Sequence, residues 1–498
     1  LNMALKHQDV IEAAGDYVLK GVILHNHEGE GVKVEDEGTN IAPLILEFNI
    51  FESLYKNSVV GTAVVLDTQN VIGNLPIQGT ERISFKLSTP GAHGSASIDC
   101  SVKTGHPMYV YAITDRTQRT GSAVSYVIHF STREFLRNVR TKVSKAYSGR
   151  MDEMVYSIFK DEASLDSRKD FDFQKTRNQD KIVMPNLKPF DAIGMISKRS
   201  LADNSKSNGF LFYETTKGFQ FRSWESLCVD TNGEPRPPKQ IFEYRPANIG
   251  KKGPSGKDAS DFERDALLDS YEEVETYKFL NSTHDTAVNQ ALGTYAQRVI
   301  THNIYDKSYK ISDYNYHTSF DETSHTDEGP TNYAVVKTPV DYDNKALSDY
   351  PEAKISVMPT TRLAHGEDTG TFGVDVEQDG VIEGKRDSKK NEIVAGSTLE
   401  LTIKGQSFLS AGDVIEFNLP NLDANDPKKK PDPFFAGRYI ISNLHHRVTD
   451  KDYIQVLECV KDAISNPYHP STVKNYTNIA GRQPSTKSPR DIVNIKDY

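Results

Sequence analysis

Paired histidines are the first residues of this sequence whose types and spacing could do chemistry. In "LHNHE", His25 and His27 lie two positions apart, so on a β-strand both imidazoles would share one face, as a metal pair needs. His445 and His446 are adjacent on a predicted strand and face opposite ways, which does not suit shared ligation. Because no further ligand set accompanies either pair, we interpret them as polar strand residues and predict no metal site.

Clustered carboxylates form a second candidate. They occur in "DETSHTDEG", which begins at residue 321, and in "DYDN", which begins at residue 341. Neither segment has the glycine and the distal glutamate of a calcium-binding loop. We therefore interpret both as solvated loops.

Aromatic segments offer a third kind of chemistry. The alternating lysine and tyrosine residues of "YDKSYKISDYNYH" would suit stacking on nucleic-acid bases, but the interleaved aspartates favour a tyrosine-rich sheet face or a protein interface. The phenylalanine-rich hairpin between residues 210 and 221 is interpreted as core rather than as a cofactor pocket. The sequence contains no GxSxG, HExxH or GxGxxG motif and no phosphate-binding glycine loop. We predict no catalytic, cofactor-binding or metal-binding residue, and no enzyme.

Composition limits the class of protein. A chain of 498 residues is long enough for about two to four domains, and 24 Tyr and 22 Phe supply real cores. The net charge of -10 argues against a dedicated nucleic-acid binder. Three widely spaced cysteines, Cys100, Cys228 and Cys459, form no disulfide framework, which indicates assembly in a reducing compartment. The N-terminal "LNMALKHQDVIEAAG" is too polar for a signal peptide or a spanning helix, so we expect no membrane insertion.

Residues 17–130 read mostly as β-strands. In "TERISFKLS" the apolar Ile83, Phe85 and Leu87 alternate with polar residues, the period of a half-buried strand. At Ser131 the period changes to that of a helix, which we predict to run from a capping box of Ser131 and Glu134 to a stop at Gly149. Its apolar stripe consists of Phe135, Val139, Val143 and Ala146.

The central segment combines helices with a hairpin. "MPNLKPFDAIGMISKRSL" predicts a helix that begins at Lys188-Pro189, because proline is tolerated in the first turn. "NGFLFYETTKGFQFRSWESL" predicts a hairpin whose turn is Lys217-Gly218. Residues 231–262 are rich in Pro, Gly and Lys and predict a flexible linker with one short strand, "QIFEY".

The closing unit has the clearest strand pattern. Leu399, Leu401 and Ile403 share one face, and Ile415 and Phe417 share another across the "SAGD" turn. "GRYIISNLHHRV" and "YIQVLECV" predict a further hairpin, while residues 318–390 read as a polar, irregular excursion with a strand near "YAVVKTP". These patterns divide the chain into an N-terminal arm (1–16), a first β-barrel domain (17–130), a helix and hairpin domain (131–245), a second β-barrel domain (246–465) with an insertion at 318–395, and an extended tail (466–498). The predicted fold class is mostly β, an α+β chain in which two small antiparallel barrels are interrupted by the helix and hairpin domain.

This order of motifs resembles the central hub proteins of contractile-tail phage baseplates. "EFNIFESLYKNSVVGTAVVLDTQN" has the strand that ends in an "ES" pair, Glu52-Ser53, and the Gly-led strand from Gly61 to Asp67. A Gly-x-Glu strand follows from Gly79 to Leu87. "LSAGDVIEFNLP" and the final hairpin are similar to the segment that closes the second tube domain of such hubs. The hub portion of type VI secretion spikes has the same architecture.

The resemblance implies a mechanical role in a virion. Three chains would close a ring, and their two tube domains would give pseudo-six-fold symmetry that adapts a hexameric tail tube to a trimeric spike. Exposed strand edges would be covered by pairing between subunits. The implied partners are further copies in a homotrimer, the tail tube protein, the central spike protein and neighbouring baseplate wedge proteins. DNA would pass through an acidic lumen without specific binding, after assembly of the baseplate in the host cytoplasm.

Two alternatives stay open from the residues alone. One is a multidomain hydrolase that uses two carboxylates about 5 to 10 Å apart in a cleft. The other is a carbohydrate-binding or receptor-binding protein with tyrosine-rich β faces. Both classes use β-domains, but surface-binding modules usually lack a central helical unit such as residues 131–200.

Overall fold

The computed structural model of the chain describes part of its length. The described residues are 14–25, 39–68, 79, 81–89, 97–104, 106–119, 121, 123–203, 208–230, 232–245, 270–281, 285–303, 307–327, 344–360, 379–395, 397–420, 431–432 and 434–463. Residues 1–13 of the predicted arm (1–16), the "YAVVKTP" strand and the predicted tail lie outside these ranges. None of the helices within them combines the length and hydrophobicity needed to cross a bilayer.

The first β part wraps around one apolar core. Its alternating strands bury Phe48, Phe85 and Phe130 together, and the Phe48 and Phe85 rings meet edge to face at 4.8 Å. The predicted alternation of Ile83, Phe85 and Leu87 is confirmed, because all three are buried. The strands are β1 (Val18–His25), β2 (Thr39–Asn40), β3 (Ile45–Ser53), β4 (Val60–Asp67), β5 (Arg82–Ser88), β6 (Ser97–Asp99), β7 (Met108–Gln118) and β8 (Val124–Ser131).

The middle unit has its own core of phenylalanine and methionine side chains. The predicted hairpin is present, and its Phe212 and Phe219 rings stack at 5.3 Å inside that core. Pro189 occupies the first turn of its helix, as predicted. The elements are α1 (Arg133–Arg140), β9 (Ala146–Arg150), α2 (Met151–Lys160), β10 (Phe171–Phe173), β11 (Gln179–Val183), α3 (Pro189–Ser197), β12 (Phe210–Thr215), β13 (Gly218–Ser223) and α4 (Trp224–Cys228).

Two local predictions for this unit were wrong. The helix predicted to reach Gly149 ends at Arg140, because Thr141 turns to an extended conformation and the following residues form β9, which pairs with β11. The capping box is absent as well, since the Ser131 hydroxyl donates to the backbone oxygen of Val59. The hairpin turn is Thr216-Lys217 rather than Lys217-Gly218.

Gly218 is nevertheless required beside this turn. Its φ is +132°, and a Cβ atom there would lie 2.7 Å from the backbone oxygen of Asp170. An L side chain at this position would therefore combine backbone strain with a collision.

The long excursion is more ordered than the sequence predicted. Residues 318–390 are predicted to be irregular, but their described part includes strand β18 and most of helix α7. Strand β18 joins β16 and β17, which lie before residue 318, in a three-stranded sheet of order β17–β16–β18, and the helix packs on one face of that sheet. The short "QIFEY" strand is confirmed as β14. The elements from here to the end of the excursion are β14 (Ile241–Glu243), β15 (Val274–Asn281), α5 (Thr286–Ala291), β16 (Ala296–Asn303), β17 (Tyr309–Asn315), α6 (Tyr316–Ser319), β18 (Ile355–Thr360) and α7 (Asp379–Ala395).

The closing strands bury the residues that the alternation predicted. Leu399, Leu401 and Ile403 are fully buried, as are Ile415 and Phe417 on the next strand. The strands are β19 (Ser397–Lys404), β20 (Val414–Asn418), β21 (Gly437–Thr449) and β22 (Tyr453–Lys461). Short 3₁₀ turns at Ala42–Leu44, Val102–Thr104, Phe320–Glu322, Leu347–Asp349 and Pro351–Ala353 complete the described elements.

One sheet joins the first and last β parts. Its order is β15–β19–β22–β21–β3–β4–β8–β7–β5–β1–β2, with β20, β14 and β6 attached beside this path, 14 strands in all. The fold class is therefore mostly β with large antiparallel sheets, as predicted, although β14 pairs with β20 in parallel. The sequence analysis described two separate barrels, whereas the structure continues the hydrogen bonding from one core to the other. The predicted domain boundaries stay predictions.

Candidate functional site

The two β parts meet where β3 and β21 run antiparallel. Seven residue pairs, from Asn443 opposite Ser53 to Thr449 opposite Glu47, make up this ladder. Side chains that are directly opposite in an antiparallel ladder lie on the same face. The ladder therefore continues one face of the sheet from the second core to the first.

The face turned away from both cores is here called the open face. It alternates with the buried positions, and its side chains are mostly polar or small. They are Thr276, Lys278, Glu400, Thr402, Lys404, Ile454, Val456, Glu458, Asn443, His445, Arg447, Glu47, Asn49, Phe51, Thr62, Val64, Leu66, Val127 and His129.

Charges on the open face balance and pair. The named side chains include three carboxylates and three cations; Arg447 donates to Glu47 at 2.8 Å, and Lys404 lies 2.6 Å from Glu275. Exposed pairs of this kind add little stability but reduce the net field of the surface. The named positions of the open face therefore carry no excess of carboxylates, and the acidic lumen stays a prediction.

His445 is the titratable group at the centre of the open face. Its ring stacks on Phe51 at 4.4 Å, and its Nε2 lies 2.8 Å from Oδ1 of Asn49. Burial lowers the pKa of His445 to about 4, with a further lowering from His446 and Arg447. The imidazole is therefore neutral at physiological pH. His446, as predicted, faces the other way and is fully buried.

This pKa predicts a dependence of stability on pH. Because the folded state disfavours the protonated ring, the stability that it contributes is complete above pH 6.5 and is lost as the pH falls toward about 4. Thermal unfolding should show a lower melting temperature across that window. The variant His445→Gln removes the titration. The difference in melting temperature between variant and wild type should therefore shrink as the pH falls. A difference that does not change with pH would contradict the assignment.

Glu52 connects the sheet that carries the open face to the rest of the molecule. Its side chain is buried; Oε1 accepts a hydrogen bond from the backbone N–H of Thr216 at 3.0 Å, and Oε2 accepts one from that of Ala411 at 2.9 Å. Thr216 belongs to the hairpin turn of the middle unit, and Ala411 to the "SAGD" turn beside the second core. One carboxylate therefore holds together strand β3, the middle unit and the closing unit.

A buried histidine completes this junction. The Gln455 amide nitrogen and the Tyr453 hydroxyl lie 3.1 Å and 2.5 Å from His446 Nδ1, and His446 Nε2 lies 3.9 Å from Glu52 Oε1. Burial alone would raise the pKa of Glu52, but His446 and the two backbone donors hold it below its ordinary value. Glu52 is therefore ionised at neutral pH. The sequence analysis noted Glu52 only as part of a family motif.

A second buried carboxylate joins the first β part to the middle unit. Glu214 accepts hydrogen bonds from the Val59 backbone at 3.0 Å and from the Thr132 hydroxyl at 2.7 Å, and it pairs with Lys169 at 2.5 Å. Lys169 also lies 3.5 Å from Glu134. Burial would lower the pKa of Lys169, but the two carboxylates raise it, so the ammonium stays charged.

A cavity of about 70 Å³ lies beside this pair and is lined by Cys100, His106 and Lys169 among others. Burial raises the pKa of the Cys100 thiol to about 12. A thiol and an ammonium that keep their protons at neutral pH are poor nucleophiles. Burial raises the pKa of the Glu214 carboxyl, and the Lys169 ammonium opposes that rise. The arrangement binds the two units together.

The remaining candidate metal ligands from the sequence are His25, His27 and the residues of "DYDN". His25 is buried, and its Nε2 lies 2.8 Å from the Ser84 hydroxyl. His27 lies outside the described residues, and no group of three or more metal-ligating side chains occurs within them. Of "DYDN", only Asn344 is described.

The prediction of a solvated loop at residue 321 was wrong for three of its residues. His325, Thr326 and Asp327 are buried against the end of β22, where Asp462 accepts hydrogen bonds from Thr326 and from the Lys389 ammonium of α7. Burial would raise the pKa of Asp462, but Lys389 and His325 hold it far below its ordinary value. Nearby, Lys461 pairs with Asp327 at 2.8 Å. These charges fasten the excursion to the closing unit.

Comparison with known proteins gave matches among solved structures. No protein-family model and no curated protein sequence matches the chain. The 43 kDa tail protein of prophage MuSo2 from Shewanella oneidensis is 8% identical, with a TM-score of 0.48 over 89% of this chain and 99% of that one. A tail protein from Neisseria meningitidis is 9% identical, with a TM-score of 0.47 over 91% of this chain and 99% of that one.

A component of the E. coli type VI secretion system also matches. It is 10% identical, with a TM-score of 0.38 over 86% of this chain and 76% of that one.

Proposed function

We propose that the chain is the structural hub of a contractile phage tail. In this role three copies form a ring that adapts a hexameric tail tube to a trimeric spike. The observation that carries the proposal is the continuous sheet, in which the ladder between β3 and β21 makes one open face from two β parts. Three such chains would present six β parts around a channel, which matches a six-fold partner on one side and a three-fold partner on the other.

Free strand edges support ring closure. On the described residues β15 pairs only with β19, so it ends the sheet at the second core. Within the first β part, β7 projects beyond its short pairing with β5, and among the described residues its stretch from Ala112 to Gln118 pairs only with β8. Long unpaired edges are an aggregation hazard unless a partner covers them. We infer that β15 of one copy lies beside β7 of the next.

The open face suits a channel wall through which DNA passes without specific binding. Proteins hold DNA largely through lysine and arginine side chains that neutralise its phosphate groups. Here Arg447 is already paired with Glu47, and Lys404 with Glu275 and Asp452. In place of the acidic wall expected earlier, we propose a polar wall of nearly zero net charge.

The hub role proposed here is non-enzymatic. Glu52 and Glu214 accept backbone hydrogen bonds, and the protons of Lys169 and Cys100 are held at neutral pH. General acid–base catalysis needs groups that exchange protons near the working pH. The proposed partners are the tail tube, the central spike and neighbouring wedge proteins, in a virion baseplate that assembles in the host cytoplasm.

Electron microscopy of the purified chain, with and without the candidate spike protein, tests the proposal. We expect a three-fold ring with an open lumen, in which β15 and β7 of adjacent copies are neighbours. The smallest species in solution, at the lowest protein concentrations, should have a molar mass three times that of the chain. A chain that remains a compact monomer when the spike is present would overturn the hub assignment.

A further inference from the structure

The sheet of the excursion has an apolar outer face. Opposite residues in its ladders place Ile311, Ile300 and Val357 in one row across all three strands. Tyr309 lies above this row on β17, and Ile355 lies below it on β18. These five side chains are here called the apolar face.

Exposure distinguishes the apolar face from the rest of the surface. Val357 and Tyr309 are each 69% exposed, Ile355 is 53% exposed and Ile311 is 51% exposed. Of the 14 large apolar side chains that are exposed in the described residues, 6 lie between residues 285 and 360. Single exposed apolar residues are ordinary, but a contiguous group on one sheet marks an interaction site.

The apolar face points away from the body of the molecule. Helix α7 covers the opposite face of the sheet, where Gln297 donates to the Gly384 oxygen at 2.7 Å and Ser388 donates to the Thr294 oxygen at 2.6 Å. Beyond the helix, its Ile393 packs in the cluster that contains Trp224. The layers are thus the body, the helix and the sheet, with the apolar face outermost.

We propose that the apolar face binds the same face of a second copy of the chain. The exposed parts of its side chains come to roughly 400 Å², the size of the largest apolar patch on a typical monomer. Two such patches would remove about 800 Å² of apolar surface from water, close to the non-polar share of a standard interface of about 1,600 Å². One patch against a polar partner would supply only half of that amount.

The pattern on the sheet is compatible with a two-fold axis along the central row. Such an axis stacks Ile300 and Ile311 of one copy on the same residues of the second copy. It places Arg298, which is paired with Asp313 at 2.7 Å, opposite the row of His302 rather than opposite a second Arg298. A self-complementary contact of this kind closes after two copies.

Measurement of mass against concentration tests the contact. In a dilution series by sedimentation velocity, the wild-type chain should double its mass as the concentration rises, whether the smallest species is one chain or a ring. Val357→Asp should abolish this doubling, because a buried, unpaired carboxylate opposes association. The mass should then be about two-fold lower than that of the wild type at high concentration.

Val183→Asp is the matched control. Val183 is 67% exposed on β11, outside the apolar face, so this variant should still double. Circular dichroism melts that match the wild type would establish that both variants fold. A wild-type mass that does not change with concentration would overturn the proposal, as would a Val357→Asp mass that still doubles. Binding of a different tail protein to the apolar face would also overturn it. The three-fold symmetry seen by microscopy is a separate readout, so the ring and this contact can fail independently.

Discussion

Replacement of Glu52 by Gln should lower the free energy of unfolding by about 1–3 kcal/mol, the cost of leaving a buried backbone donor without an acceptor. The carboxylate accepts the N–H groups of Thr216 and Ala411 with its two oxygens. An amide has one oxygen, so its NH₂ group would face a backbone donor and leave it buried without an acceptor. Urea denaturation, followed by the intrinsic fluorescence of Trp224, should show the loss as a lower midpoint.

Glu47→Gln is the matched control on the same strand. Glu47 accepts hydrogen bonds from the Arg447 guanidinium on the open face, where solvent screens the charges, so we expect a change of about 1 kcal/mol or less. A Glu52 variant no less stable than the Glu47 variant would show that the three units are held together by their apolar contacts alone.

Replacement of Asp462 by Asn should release the excursion from the closing unit. Asp462 is almost completely buried and accepts hydrogen bonds from Lys389 and from Thr326. Without its charge, the Lys389 ammonium is left buried beside a neutral amide, which costs about 3–5 kcal/mol locally. Hydrogen exchange should then be faster in β16–β18 and α7 while the strands of the two β parts stay protected.

Glu352→Gln supplies the comparison within the same unit. Glu352 pairs with Arg298 at 3.0 Å, but its side chain is 65% exposed, so the exchange pattern should remain that of the wild type. If Asp462→Asn accelerates exchange equally throughout the chain, the excursion and the β parts unfold together and the buried charges are not a local fastening.

Local alternation was enough to predict the strands of both cores. Leu399, Leu401 and Ile403, for example, follow the period of two that a one-sided sheet imposes, and all three are buried. The prediction of one helix from Ser131 to Gly149 failed for a related reason. Its apolar spacing fits a helix, but the residues after Arg140 gain more from strand pairing with β11 than from continued helical hydrogen bonds.

The junction could not be predicted from local pattern. Glu52 meets Thr216 and Ala411 across separations of 164 and 359 residues, and nothing in the sequence around it indicates which backbone donors the fold will bring there. A buried carboxylate also looks the same in sequence as a solvated one. For this reason the segment after residue 321 was interpreted as a surface loop, although Asp327 and His325 are buried against cations.

The ladder between β3 and β21 has a mechanical consequence. Its seven residue pairs run antiparallel from Glu47 to Ser53 of β3, so a force along the strands loads their backbone hydrogen bonds together, in shear. A force applied across the strands would instead open the bonds one at a time, like a zipper. A chain whose two halves are joined in this way resists elongation along the strand direction with its backbone and not only with side-chain packing. A pull along β3 in one half is thereby transmitted to the other half with little slippage between them.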